Sequence, residues 1–249
     1  MEIENIVAKI TQEVLQRIMS ENKAIEPAIS KYPGQDVAHV IEHSAMNPDT
    51  TEEQVRKACS EAREYRFANV CVFPYFVSFA VELLRGSGIG VCTAVAFPHG
   101  AIPTETKLTE AREAIKSGAS ELDIAMNISA IKSGKLEDAK RDLEAVIMIA
   151  SGKVKVKAIY EQGLYSEEEK IKALNIACSA GADFVKIQNY LTGEKAIPED
   201  IAFVRSFVGK HIGIKIDGGV TDATTLRKLL EAGATRVGCS RSVKIVRGE

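Results

Sequence analysis

Short apolar stretches alternate with longer amphipathic segments from Val37 to the last residues of the chain. The stretches have the length of β-strands, and the segments between them repeat apolar residues at helical spacing. Eight strands separated by helices are typical of parallel βαβ units, so the pattern predicts an α/β fold, a (β/α)8 TIM barrel. The predicted strands cover residues 37–41, 69–73, 91–97, 122–126, 154–160, 184–187, 212–216 and 236–239.

A repeated helix end supports this barrel. A glycine flanked by small residues precedes three of the strands, at residues 117–119, 180–182 and 232–234. Glycine suits the left-handed position at the end of a helix, and a strand follows each copy within a few residues. An open doubly wound sheet is the rival fold. It usually has fewer strands and a glycine-rich first turn, and no GxGxxG follows Ile41.

The first part of the chain differs from the repeating region. Residues 3–19 carry isoleucine, valine and leucine at helical spacing along one face, which predicts an amphipathic helix. Residues 20–36 are polar and contain Pro27 and Pro33 with Gly34, as a linker does. We therefore expect two parts, an N-terminal helical extension with its linker over residues 1–36 and a barrel domain over residues 37–249.

Composition narrows the range of functions. The chain of 249 residues is 45% hydrophobic and 27% charged, with a formal net charge of −2 and no basic run, so nucleic-acid binding has no electrostatic support. Its five cysteines are scattered, which argues against a disulfide framework or a metal site. No apolar run approaches a membrane span of about 20 residues, and no secretory signal is recognisable. We expect a cytoplasmic protein that binds neither membranes nor metal.

The chemistry of a barrel lies at the carboxyl-terminal ends of its strands. Lys186 and Lys215 end two neighbouring apolar strands, and Asp123 ends another. Two amines in a pocket of low dielectric constant lower each other's pKa, and a neutral lysine attacks a carbonyl to form an imine. The alternative is that both lysines reach solvent or pair with Asp123 as structural ions. The strand ends comprise Glu42 with Ser44, Cys71, Thr93, Asp123, Glu161, Lys186, Lys215 and Ser240.

Motifs along the barrel region resemble one enzyme family. They are IEHS at 41–44, NVCVFP at 69–74, VCT at 91–93, FPHG at 97–100, ELD at 121–123, GADFVK at 181–186, GIK at 213–215 and GGV at 218–220. In this order they resemble the 2-deoxyribose-5-phosphate aldolases, which are class I aldolases on a TIM barrel. The resemblance covers nearly the whole barrel.

The resemblance implies a lyase that reversibly cleaves 2-deoxy-D-ribose 5-phosphate to acetaldehyde and D-glyceraldehyde 3-phosphate without a cofactor. It makes Lys186 the Schiff-base lysine and makes Asp123 and Lys215 a proton relay that works through water. Other residues match positions on the substrate side, where the phosphate is held by backbone amides and a hydroxyl. These predicted substrate-binding residues are Glu42, Cys71, Gly218, Gly219, Ser240 and Arg241.

Several residues depart from the family's pattern. The small residues that follow the Schiff-base lysine in the family are replaced over residues 187–195 by bulkier ones. Glu42 replaces an aspartate, and Arg241 replaces a serine. Lys195 and Arg241 offer cationic phosphate contacts in place of amides. Two alternatives therefore stay open: the same imine chemistry on a different aldehyde or sugar, or a catalytically weak barrel that acts as an interaction component.

The N-terminal helix has two interpretations. It resembles the encapsulation peptides of bacterial microcompartment enzymes, which implies docking to a shell or cargo protein through residues 3–19 and a location inside such a compartment. The other interpretation is a structural helix that closes the bottom of the barrel or a dimer seam. We also expect a homo-oligomer.

Overall fold

The computed structural model describes residues 33–195 and 197–249. Within it, Pro33–Glu249 forms one compact unit. The predicted helix over residues 3–19 lies outside the described residues, and its function as an address or a structural part stays a prediction, as does the boundary at residue 36.

The eight parallel strands pair in sequence order, and the first also pairs with the last, so the sheet closes into a barrel. This confirms the predicted (β/α)8 TIM barrel. The strands are β1 Ile41–Ala45, β2 Asn69–Val72, β3 Gly90–Val95, β4 Glu121–Ala125, β5 Lys155–Glu161, β6 Phe184–Gln188, β7 Gly213–Asp217 and β8 Arg236–Cys239.

Helices follow the strands around the outside of the barrel. Two of them begin with a capping box, in which Thr51 pairs with Gln54 and Ser166 with Glu169, so their starts are encoded locally. The α-helices are α1 Glu52–Tyr65, α2 Val77–Leu84, α3 Thr104–Lys116, α4 Ile128–Lys132, α5 Leu136–Ala150, α6 Glu167–Ala180, α7 Pro198–Phe207, α8 Ala223–Glu231 and α9 Ser242–Arg247.

Most differences from the predicted elements lie in short segments. Residues 37–41 were expected to form a strand, but Gln35–Val40 is a 3-10 helix and the strand begins at Ile41. A short apolar run does not distinguish these two states, and here Gly34 N donates to Val246 O at 2.9 Å, which ties the segment to α9. Helices α4 and α9 were missed because five or six residues are too few to show helical periodicity.

Successive residues of each strand point to opposite sides of the sheet. Most outward positions are apolar and buried under the helices, as at Val70, Leu122 and Ile214. Each such side chain contributes about 1.5–3 kcal/mol by leaving water. The inward positions include many charged residues, which the next section describes. Among the helices of the described ranges, none is long and apolar enough to cross a membrane.

Candidate active site

Two lysines on neighbouring strands contact one carboxylate. Lys186 on β6 and Lys215 on β7 are register partners, so their side chains share the inner face of the sheet. Their Nζ atoms lie 2.9 Å and 2.6 Å from the same oxygen, Oδ2 of Asp123 on β4. The side chains of all three are almost fully buried. The structure thus brings together the three residues that the sequence predicts as the reactive group.

A third lysine lies in the barrel, and sequence reasoning missed it. Lys157 on β5 is the register partner of Asp123 and is fully buried. Its Nζ lies 2.8 Å from Asp123 Oδ1, 2.7 Å from Glu121 Oε2 and 3.3 Å from Glu42 Oε2. The sequence signal that could have revealed Lys157 is its position between Val156 and Ala158. This alternation is typical of a strand with an apolar outward face and a charged inward face.

A further carboxylate, also missed, contacts Lys186 directly. Asp217 is the last residue of β7, and its Oδ2 lies 2.7 Å from Lys186 Nζ. Its side chain is 28% exposed, whereas that of Asp123 is fully buried. The signal for Asp217 was its spacing of two from Lys215, which places both side chains on the inner face of one strand.

These side chains form a charged network with as many basic as acidic groups. Burying an isolated ion costs several kcal/mol, so a network of this kind is tolerated only when the charges are paired. Removing one partner of a buried pair typically costs about 3–5 kcal/mol. The four basic residues are Lys157, Lys186, Lys215 and Arg236, and the four acidic residues are Glu42, Glu121, Asp123 and Asp217.

The network keeps its lysines charged. Burial lowers the pKa of Lys186, but the carboxylates of Asp123 and Asp217 raise it by more, so the pKa lies above its usual value. Burial likewise lowers the pKa of Lys215, and Asp123 and Glu42 raise it well above the usual range. Lys215 does lower the pKa of Lys186, as expected, but the expectation of a depressed pKa is wrong in direction, because the surrounding carboxylates outweigh that repulsion. Lys186 must lose a proton before it can attack a carbonyl.

The pKa of Asp123 moves in the opposite direction. Burial raises it, but the ammonium groups of Lys157, Lys186 and Lys215 lower it well below its usual value. Asp123 is therefore a strongly held carboxylate that orients two amines at once.

Lys186 and Asp217 line a cavity of about 430 Å³, which suits a small-molecule ligand. Its lining also includes apolar side chains, among them Met46 and Phe97. Lys157 and Lys215 are not part of this lining. Of the three lysines inside the described barrel, Lys186 is the one whose amine a ligand in the cavity can reach.

An adjoining cavity of about 500 Å³ gathers four of the predicted substrate-binding residues, Gly218, Gly219, Ser240 and Arg241. Gly218 and Gly219 have φ values of 89° and 82°, a left-handed conformation that favours glycine. Consecutive backbone N–H groups in such a turn suit an anion. Lys195 and Asp217 belong to the linings of both cavities, so the two cavities share a boundary.

Glu42 and Cys71, which were predicted to contact the substrate, lie deeper in the barrel than the two cavities. Glu42 is fully buried with its Oε1 against Lys215, and Cys71 Sγ lies 3.3 Å from Met46 Sδ. Neither residue is part of the lining of the two cavities, and their role in substrate binding stays a prediction. Thr93 was expected at a strand end, but β3 continues beyond it and its hydroxyl donates to Val72 O at 2.8 Å.

The loop over residues 187–195, where the chain departs from the family's pattern, is anchored beside the cavities. Leu191 N donates to Glu161 Oε1 at 2.6 Å. The ring of Tyr190 lies 4.9 Å from that of Phe97, and both aromatic residues line the first cavity. The bulky side chains of the loop therefore reduce and shape the space next to Lys186.

Four residues in the network have metal-binding side chains close together. One ligand atom from each of Glu42, Cys71, Cys92 and Asp123 lies within 4.8 Å of the others. Lysine ammonium groups already contact both oxygens of Asp123, and the same lysines contact both oxygens of Glu42. A metal ion would have to displace these charges, so the donor set does not fit one.

Comparisons with known proteins agree with the geometry. Residues 35–241 match the family described as DeoC/LacD family aldolase. Deoxyribose-phosphate aldolase of Geobacillus sp. is 44% identical over 214 residues, which cover 86% of this chain and 96% of that protein. The enzyme of Listeria monocytogenes serovar 1/2a is 46% identical over 213 residues, with 86% and 96% covered. The tetrameric deoxyribose phosphate aldolase structure from Aeropyrum pernix aligns with a TM-score of 0.80 at 27% identity, covering 86% of this chain and 91% of that one.

A (β/α)8 barrel whose inward-facing amines and shared carboxylate adjoin a cavity has the arrangement of a TIM-barrel enzyme. The matched residues span most of this barrel and include Asp123, Lys186 and Lys215. The chain belongs to the DeoC/LacD family of aldolases, as the motifs in its sequence predict.

Proposed function

We propose that this chain is a class I aldolase that reversibly cleaves 2-deoxy-D-ribose 5-phosphate to acetaldehyde and D-glyceraldehyde 3-phosphate. One observation carries this proposal: Asp123 Oδ2 contacts the amines of both Lys186 and Lys215, while Lys186 alone of the three lysines lines the cavity. A single reactive amine next to a fixed proton-transfer pair is what imine chemistry needs. The named activity of the relatives at 44% and 46% identity supports the same substrate.

In the proposed reaction, Lys186 loses a proton and attacks the C1 aldehyde of the open-chain sugar. Loss of water gives an iminium, which withdraws electrons from the C2–C3 bond. Asp123 and Lys215, acting through a water molecule, take the proton of the C3 hydroxyl as this bond breaks. Glyceraldehyde 3-phosphate leaves, the enamine is protonated at C2, and water releases acetaldehyde from Lys186.

The second cavity suits the phosphate of this substrate. Gly218 and Gly219 present backbone without side chains, and Ser240 offers a hydroxyl. Arg241 and Lys195 add positive charge to the same lining. These contacts would place the phosphate at a distance from Lys186 while C1 meets the amine.

Trapping of the imine tests the mechanism. The protein is incubated with acetaldehyde or the phosphosugar, reduced with borohydride, and digested for mass spectrometry. The expected result is an adduct on Lys186 that is absent from a Lys186→Arg variant. No adduct, or one on another lysine, would rule the mechanism out.

A different substrate is the second candidate, and Asp217 favours it. This carboxylate lines both cavities, next to the glycines that would hold a phosphate. Negative charge there disfavours an anionic group, so an unphosphorylated aldehyde or sugar would use the same imine chemistry. Measuring kcat/KM for phosphorylated and unphosphorylated deoxyribose separates the candidates. An Arg241→Ala change should reduce only the value for the phosphorylated sugar if phosphate is held there.

Two further proposals concern assembly. Residues 3–19 would dock to a shell or cargo protein of a microcompartment, and the barrel would form homo-oligomers, as a relative from Aeropyrum pernix does by its description. Deleting residues 1–20 should leave activity and mass in solution unchanged if the segment is only an address. Loss of folding would favour the structural interpretation. A protein that traps no imine yet binds partners through this segment would instead be an interaction component.

A further inference from the structure

The amine of Lys186 lies between two carboxylates of very different character. Asp123 is fully buried and contacts three ammonium groups at distances between 2.6 and 2.9 Å. Asp217 lies 2.7 Å from Lys186 Nζ, is partly exposed, and has Lys186 as its one ion-pair partner among the described residues. The two carboxylates therefore differ in how many ammonium groups depend on each, and Asp217 is the one that lines the cavity.

The fold provides space for the side chain of Asp217. Its register partner on the neighbouring strand is Gly238. A Cβ at Gly238 would lie 2.7 Å from Asp217 Oδ1 and 3.0 Å from its Cγ, which is too close. Gly238 does not have a positive φ, so its backbone conformation does not require glycine. The missing side chain instead leaves the volume in which the Asp217 carboxylate lies.

Asp123 is poorly suited to take the proton of Lys186. Protonating one of its oxygens would weaken its contacts with Lys157 and Lys215, both fully buried, whose other carboxylate contacts are Glu42 for both and Glu121 for Lys157. A fully buried ammonium that loses one of its carboxylate contacts cannot replace it with water, which is unfavourable. Protonating Asp217 after Lys186 has lost its charge leaves no such ion, because the pair becomes neutral as a whole.

We propose that Asp217 is a further catalytic residue, which carries the protons for making and breaking the imine at Lys186. This rests on the proposed imine chemistry of Lys186. Asp217 acts at the nitrogen and at the oxygen of C1, whereas Asp123 and Lys215 act at the C3 hydroxyl and at C2. The site thus contains two proton carriers, one for each group of steps.

The proposed step balances in atoms and charge. The ammonium of Lys186 gives one proton to Asp217, and the free amine attacks C1 to form a carbinolamine. The second nitrogen proton moves to the oxygen of C1 as this bond forms. Asp217 then protonates the hydroxyl, which leaves as water, and the C–N double bond forms. One proton remains on the iminium nitrogen, and Asp217, a carboxylate again, is its counter-ion. Hydrolysis reverses these steps.

A purely electrostatic role makes the opposite prediction. If Asp217 only keeps Lys186 charged, its removal lowers the pKa of the lysine, since one of the two carboxylates that raise it is lost. More neutral amine would be present at pH 7, and the imine would form faster. If Asp217 carries protons, its removal slows imine formation by about 10²- to 10⁴-fold, the usual contribution of general acid–base catalysis.

The test is the rate of imine formation in the full-length protein. Asp217→Asn and Asp217→Gly are mixed with acetaldehyde, quenched with borohydride at successive times, and the Lys186 adduct is quantified by mass spectrometry. We expect a rate at least 10²-fold below that of the unchanged protein, the same final site of modification, and partial recovery of the Gly variant by added formate. Asp138→Asn, at a surface carboxylate paired with Arg141, is the matched control and should react at the unchanged rate.

Circular dichroism and the melting temperature show whether the variants fold. A folded Asp217→Asn protein that forms the adduct at the unchanged or a higher rate would overturn the proposal. Failure of the unchanged protein to form any Lys186 adduct would instead refute the proposed function. A slow variant that formate does not rescue would also overturn the proposal, because a group that only orients Lys186 is not replaced by a diffusing acid.

Discussion

Two of the buried lysines with carboxylate neighbours lie in different layers, Lys107 among the helices and Lys186 on the inner face of β6. Lys107 on α3 is fully buried, donates from Nζ to Ala125 O at 2.9 Å and contacts Asp142 on α5. Burial lowers its pKa by more than Asp142 raises it. Lys186 has two carboxylate neighbours, and its pKa is raised. By pKa alone, Lys107 would be the more reactive amine.

Access to a ligand reverses this ranking of the two lysines by reactivity. Lys186 lines a cavity of about 430 Å³, and Lys107 lines neither cavity at the strand ends. The carboxylate in contact with Lys107, that of Asp142, is itself buried and cannot pass a proton to a ligand. The comparison teaches that a reactive lysine is recognised by its access to a ligand and by a releasable proton acceptor, rather than by a depressed pKa.

The largest expected effect separates the two lysines by chemistry. Lys186→Met should lower kcat/KM by about 10⁴-fold or more, because the covalent route is lost. Lys107→Met should leave the adduct on Lys186 in every molecule that folds. Steady-state rates and borohydride trapping measure both. Substantial activity in folded Lys186→Met would show that the comparison chose the wrong amine.

Replacing Lys107 in the helical layer should lower the stability of the protein. Lys107→Met leaves Asp142 buried without its ion pair, at a cost of about 3–5 kcal/mol, or about 6–20 °C in melting temperature for a domain of this size. Scanning calorimetry measures the melting temperature. The double change Lys107→Met with Asp142→Leu removes both charges and should recover most of the loss. If the double variant melts as low as the single one, packing rather than the unpaired charge is responsible.

Acid should destabilise the strand-end network through Glu42. Burial raises the pKa of Glu42, but Lys157 and Lys215 lower it by more, to about 2 from 4.5. A lowered carboxyl pKa contributes stability that is present above pH 4.5 and is lost as the pH falls through about 2. Glu42→Gln should melt lower at pH 7 and lose less stability between pH 4.5 and 2 than the unchanged protein. If the melting temperatures of the two proteins fall in parallel between pH 4.5 and 2, the assignment of this stability to Glu42 is wrong.

The smallest expected effect concerns the space around Asp217. Gly238→Ala places a methyl group 2.7 Å from Asp217 Oδ1 and should displace that carboxylate. We expect imine formation about tenfold slower and a stability loss of about 1–3 kcal/mol from overpacking. Rapid-quench trapping measures the rate of imine formation, and the two proteins are compared at the same fraction of folded molecules. Equal rates would mean that the carboxylate keeps its function after moving.

The barrel was predictable because its elements repeat. Eight apolar runs of strand length lie between segments of helical period, and the capping boxes at Thr51 and Ser166 mark two helix starts. The 3-10 helix Gln35–Val40 and the short helix α9 were not predictable in this way, since contacts with each other, such as Gly34 N to Val246 O, hold them.

The site was predictable in part. The motifs of Lys186, Lys215 and Asp123 resemble one family, so the sequence alone predicted these residues, although each lies at the third position of its strand and not at the expected strand end. Lys157 and Asp217 also follow a period of two, but a charged residue in or after a short strand is far more often solvated than buried. Nothing local in the sequence distinguishes those cases.

The sequence alone predicted the number and order of the strands, the family, and the amine that lines the cavity. Only the tertiary structure decided the charge of that amine. Whether a lysine in a pocket is neutral or cationic depends on which carboxylates converge on it, and the two that contact Lys186, Asp123 and Asp217, come from two different strands. Closure of the barrel brings these strands together, and electrostatic energy at contact distance then outweighs both burial and the repulsion between lysines.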